Sequence, residues 1–173
     1  MIKTAVKQLN VSYLTKTGVL LALALTFQIG FSTFAQPAVG PLVNMTLFIA
    51  AIYVGPISAA LIGTLTPLSA FLLGIMPLFP IVSFIMIANV TLVILFTFVR
   101  EINGKYGDVL GVIAGAAGKF LFLSISVRYI ASYFLPQVPP KIVEMMTFPQ
   151  LYTALIGGFI ALLVSKKLIK YNK

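Results

Sequence analysis

The sequence contains no cysteine, no histidine and no tryptophan, and its acidic residues are Glu101, Asp108 and Glu144 alone. Each shortage removes a chemistry. Without Cys there is neither a disulfide nor a thiol nucleophile, and without His there is no imidazole base and none of the usual zinc sites. Scattered single carboxylates supply no acid pair for hydrolysis and no acidic cluster for Mg²⁺ unless distant loops meet. No Gly-x-x-x-x-Gly-Lys loop is present, so the chain carries no phosphate-cradling loop of that kind. Catalytic residues, metal ligands and a resident cofactor are therefore not expected, and an enzyme is disfavoured.

Charge is also scarce. Charged residues make up 9% of the chain and hydrophobic residues 60%, with a mean hydropathy of +1.10, whereas a soluble domain carries roughly 25% charged residues. Such a chain cannot cover a globule in water. A membrane-crossing helix takes about 20 apolar residues, so six of them account for most of the 173 residues. The expected fold is an all-α integral membrane protein, a six-transmembrane-helix bundle forming one domain over residues 1–173. The expected spans are about 14–34, 42–54, 57–75, 79–99, 109–135 and 148–165. Proline and glycine punctuate them, at Gln36-Pro37-Ala38-Val39-Gly40-Pro41, Gly55-Pro56, Met76-Pro77 and Pro136-Gln137-Val138-Pro139-Pro140. The second run is the shortest and does not cross about 30 Å of hydrocarbon untilted. Lys3 and Lys7, an apolar stretch, and Ser32-Thr33-Phe34-Ala35 mimic a cleavable signal. The long basic region and the long apolar stretch favour a retained first helix.

The net charge of +9 is sorted by position. Six crossings place Lys3, Lys7, Lys16, Arg100, Lys105, Lys166, Lys167, Lys170 and Lys173 on one side, against Lys141 in the opposite loops. This asymmetry predicts that both termini are cytoplasmic. The basic residues are read as facing anionic membrane lipid rather than nucleic acid.

Polar residues within the apolar runs are the candidate functional groups, because each is costly there. Lys119 lies about 15 Å into the fifth run at 1.5 Å per residue, with no acid in any span to pair with it. Its partner is expected to be a carbonyl, a side-chain oxygen, a water or a bound anion, unless its stem snorkels to an interface. Helical periodicity places Gly115, Phe122, Ser126, Tyr129 and Tyr133 on the face of Lys119, and Arg128 on the opposite one. Asn89 reaches a similar depth from the other side and can bond a ligand, Lys119 or a neighbouring helix. Gln28, Gln36 and Asn44 cluster near the outer ends of the first two spans, with Gln36 placed to cap a pocket. Gln150 sits in Thr147-Phe148-Pro149-Gln150, a capping-box pattern. Pro67 predicts a kink, with Thr64 or Thr66 available to satisfy the freed carbonyl. The second, fourth and sixth helices start on the outer side, where their N-terminal dipoles favour negative charge. The resulting cavity suits a carboxylate or a neutral heterocycle and disfavours metal ions and protonated amines. Finally, Gly18, Ala22, Thr26 and Gly30 form a ridge of small residues on the first helix. Such a ridge serves either packing within the bundle or docking of another membrane subunit.

These features together resemble the substrate-binding S component of an energy-coupling factor (ECF) transporter. The resemblance rests on the size, the six runs, the first-helix ridge, Gly55-Pro56, Pro77-Leu78-Phe79-Pro80, Phe148-Pro149-Gln150 and Gly157-Gly158, and covers nearly the whole chain. It implies a multi-pass protein of a prokaryotic plasma membrane that captures a vitamin or related micronutrient from outside. It also implies docking through the first helix on a transmembrane T protein carrying two ATPases, followed by toppling in the membrane. The family's coupling motif carries Ala at both ends of a four-residue step, where this chain has Gly18, Ala22 and Thr26. The ligand is then expected near the outer face among the fourth to sixth helices, with Asn89, Lys119, Ser126, Tyr129, Tyr133 and Gln150 as contacts, joined by Phe122, Gln36 and Asn44. The alternative is a stand-alone small-molecule permease or channel, disfavoured by the lack of any intramembrane acid or His for proton coupling. A ligand-free scaffold is a further reading.

Overall fold

A computed structural model describes residues 11–31, 36–76, 78–134 and 138–171. Among them the chain forms α1 (Val11–Gly30), α2 (Gln36–Tyr53), α3 (Pro56–Leu72), α4 (Phe79–Ile102), α5 (Gly107–Ile125), the short α6 (Pro140–Met145) and α7 (Phe148–Tyr171). No strand occurs among the described residues. Four segments are long and apolar enough to cross a membrane: Val11–Gly30, Phe79–Ile102, Gly104–Ile130 and Pro140–Lys167. Ala38–Tyr53 and Pro56–Leu72 are apolar but shorter.

Most helix starts and stops follow local chemistry. Gly55 adopts φ 130°, open to glycine alone without strain, and Pro56 follows at the first helical position, so α2 ends and α3 begins within two residues. Gly74, at φ 73°, closes α3 in the same way. The expected break at 36–41 is not a break. The helix α2 starts at Gln36 and carries Pro41 inside it. A proline in the second turn forfeits a single helical bond, the one its N–H would have given the carbonyl four residues back, and the helix continues through it. The second apolar element is therefore 18 residues long, about 27 Å at 1.5 Å per residue.

Glycines decide how closely the helices approach. Along α5, a side chain at Gly107 would run into the Arg100 carbonyl, one at Gly111 would lie 2.8 Å from the Phe96 carbonyl, and one at Gly115 would lie 2.8 Å from the Leu92 carbonyl. Each four-residue step up α5 thus meets a step of about four back along α4, the signature of an antiparallel pair in near backbone contact. A similar contact joins α7 to α2, where Gly157 faces the Pro41 carbonyl and the Asn44 Cβ, and Gly40 faces Thr153. Phe48 of α2 and Phe96 of α4 meet edge to face at 5.0 Å in the shared core, a pairing worth about 0.5–1.5 kcal/mol beyond burial. At the hairpin between α4 and α5, Arg100 Nε donates to Asp108 Oδ1 at 2.7 Å. Both side chains are substantially exposed, so the pair adds little.

The helix α1 is peripheral. It packs mainly on α3 and α2, with Ala24 and Gln28 buried and the Thr17 and Ser58 hydroxyls 2.9 Å apart. The ridge of Gly18, Ala22, Thr26 and Gly30 points the other way and is exposed. A side chain added at Gly18 or Gly30 would meet nothing within 4 Å, so the ridge packs on nothing else among the described residues.

Candidate functional site

The second half of α1, the first halves of α2 and α4, the second half of α3, the middle of α5 and the start of α7 converge at one end of the bundle. This is the end opposite Arg100, Lys105, Lys166 and Lys167. The helices enclose a polar floor in a cavity of about 30 Å³, room for roughly two waters.

Lys119 forms the centre of that floor. It is 4% exposed, and its Nζ donates to Asn44 Oδ1 and to Asn89 Oδ1, each at 2.8 Å. An ammonium has three N–H groups, and the third has no protein acceptor among the described residues. No carboxylate stands nearby: Asp108 pairs with Arg100, and Glu101 and Glu144 are exposed. Burying a cation without a counterion is costly, and here two amide dipoles meet part of that cost.

The glycine contacts explain why these three side chains converge. Lys119 is the next residue in the four-step series 107, 111, 115, so it faces α4 one turn beyond the Leu92 contact, where Asn89 stands. Asn89 is braced on its other side by Gly63 of α3, whose added side chain would lie 2.9 Å from the Asn89 Cβ. Asn44 is braced by Gly157, with a matching distance of 2.9 Å.

Pro67 completes the network. It has no N–H to offer the carbonyl four residues back, which belongs to Gly63. Asn89 Nδ2 donates to that carbonyl at 2.7 Å. The expected rescue by Thr64 or Thr66 is corrected: their hydroxyls donate to Leu61 and Ile62 carbonyls instead. Asn89 thus satisfies the carbonyl that Pro67 leaves free with its amide N–H and orients the ammonium with its oxygen. Asn89→Ala should therefore destabilise the protein by about 1–3 kcal/mol. The loss should be smaller in a Pro67→Ala background, where residue 67 regains an N–H for Gly63. A double-mutant cycle of unfolding midpoints checks this, and additive losses would uncouple the two residues.

Gln150 and Gln28 are buried and line the same floor. Gln150 Nε2 donates to the Met145 carbonyl at 3.1 Å, and the Thr147 hydroxyl to the Glu144 carbonyl at 2.9 Å. The expected capping box is therefore not formed, because both side chains turn back to α6. Gln28, Thr66 and Met76 line the site without having been singled out as ligand contacts. A period of four from the buried Ala24 to Gln28 is the signal that marks Gln28 as inward-facing. The side chain of Gln36 lies outside the described residues.

The expected stripe beyond Lys119 is not continuous. The chain leaves the α-helix at Ser126 for a π turn, Ser126–Ile130, followed by a 3₁₀ turn, Ala131–Tyr133. A π turn winds less per residue than an α turn, so positions extrapolated at 100° per residue drift off their face. Ser126 is buried without a hydrogen-bond partner among the described residues. Phe122 packs on the apolar cluster of α4, α5 and α6, while Tyr129 and Tyr133 are 68% and 85% exposed. None of the four lines the polar floor.

Above the floor lies a second cavity of about 200 Å³, walled by Ile75, Met76, Leu78, Ile81 and Ile85 on one side and Ile142, Met145 and Met146 on the other. Met76 and Ile85 line both cavities, so the two adjoin.

No curated protein and no solved structure matches the chain. The family model described as "ECF transporter, substrate-specific component" matches residues 12–169. Apolar helices around a buried polar floor accord with that match, and the chain belongs to the substrate-specific components of ECF transporters.

Proposed function

We propose that this chain captures a small neutral or anionic vitamin-like molecule, a carboxylate or a heterocycle, from the outer face of the cell membrane. The bundle crosses six times with both termini cytoplasmic, so the polar floor opens outward. The chain docks on a T protein with two ATPases through the ridge of Gly18, Ala22 and Thr26. The observation that carries the reading is the Lys119 ammonium, buried beside a cavity, held by two amide oxygens and lacking an acidic neighbour. Such a group is electrostatically incomplete, and an electron-rich ligand from outside completes it. The docking role is supported by the exposure of the ridge, since small residues open to a neighbour permit close helix approach.

The test is co-purification. Wild-type protein should bring down two ATPases with the T protein, and native mass spectrometry should find a retained small molecule. Ala22→Leu should abolish the first result and preserve ligand-dependent thermal stabilisation. Normal assembly of the Ala22→Leu complex would remove the ridge from the docking surface.

A further inference from the structure

The geometry points to a narrower class of cargo: an amphipathic carboxylate with an aliphatic body. This inference rests on the reading of the Lys119 floor as the substrate site and deepens it. The floor has room for roughly two water-sized atoms, which fits the two oxygens of one carboxylate. Lys119 supplies a cation there with a free N–H among the described residues, and Gln28 and Gln150 supply amides beside it.

The rest of the cargo has to lie in the adjoining cavity of about 200 Å³. Among the described residues its walls hold only isoleucine, leucine and methionine. Among the described lining residues no aromatic side chain offers a face for stacking a planar ring. Nor, among the described residues, does any side-chain hydroxyl, amide or charge line it to recognise ring nitrogens or sugar hydroxyls. Branched aliphatic walls with three methionines instead suit a flexible saturated chain, because thioether side chains adapt to irregular shapes. Glu144 is the acid nearest in sequence to that wall, on α6, and it is exposed rather than part of the lining. Head and body are thus separated by chemistry along a single path through Met76 and Ile85.

The experiment uses the full chain in detergent, with butanoate, hexanoate, octanoate, octan-1-ol, octan-1-amine and nicotinate as probes. Binding is read by calorimetry and thermal shift. Each fully buried methylene contributes up to roughly fourfold in affinity, so octanoate should bind at least tenfold tighter than butanoate. It should also exceed octan-1-ol, octan-1-amine and nicotinate by at least tenfold, with the alcohol reporting non-specific partitioning. Ile142→Asn should erase the gain with chain length, and Lys119→Met should weaken all the aliphatic acids. Acids that bind through Lys119 without chain-length dependence, or nicotinate binding as well as octanoate, would overturn the aliphatic body while leaving the site intact. Binding that ignores Lys119→Met, or no binding of any carboxylate, would overturn the site reading itself.

Discussion

Lys119→Met protein should fold, insert and lose its ligand. The substitution keeps a long unbranched side chain in the same space and removes the one cation on the floor among the described residues. Loss of a buried charge-assisted partner costs an anionic ligand about 3–5 kcal/mol, which is roughly 100-fold or more in affinity. Stability should change far less, because two effects oppose each other. Removing an ammonium that has no counterion relieves a desolvation cost. Leaving the Asn44 and Asn89 oxygens without their donor costs about 1–3 kcal/mol for each one left unsatisfied. Calorimetric titration with octanoate, set beside the unfolding midpoint without ligand, separates the two. Undiminished affinity would place the ligand elsewhere, and collapse of the fold would make Lys119 a structural residue.

Gly115→Leu should damage stability and binding together. A side chain at 115 meets the Leu92 carbonyl at 2.8 Å and the Phe96 Cβ at 3.4 Å, and a helix backbone cannot yield as a side-chain tip can. The helices α4 and α5 have to separate, at about 1–3 kcal/mol for overpacking and occasionally more. The separation occurs one turn before Lys119, so the 2.8 Å bond to Asn89 is broken as well. Gly118→Ala is the control. Its added carbon meets the Leu95 Cδ1 methyl, the mobile end of a side chain, and should be tolerated with little loss of either property. Equal effects of the two substitutions would mean that backbone contact is not what sets the helix spacing.

Much of the helical organisation is legible from proline and glycine. Starts at Pro56, Phe79 and Phe148 coincide with residues that cannot continue a preceding helix or that favour a first turn. The same rule misleads at Pro41, since a proline five residues into a helix looks identical in sequence to one that ends a run. Lys119, Asn89 and Asn44 are conspicuous as polar groups in apolar runs. Their joint hydrogen bonding is not, because it depends on which helices adjoin. A partial clue was available in the four-residue spacing of Gly107, Gly111, Gly115 and Lys119. The placement of the tyrosines away from the floor has a different cause. A π turn has no strong residue signature, so the phase of the helix past Ser126 cannot be counted from Lys119.

The three hydrogen-bonded side chains at the centre of the floor each lean on a glycine or follow one by a turn: Asn89 on Gly63, Asn44 on Gly157, Lys119 after Gly115. These side chains surrender their rotamer freedom when the bundle assembles, so arriving cargo finds the receiving end already set. The consequence is intolerance. A headgroup larger or flatter than the floor cannot be accommodated by rearranging one residue, because every adjustment moves a backbone. Evolution toward a different cargo is therefore expected to begin among the methionines of the outer wall, where shape is cheap to change, and to reach the lysine last.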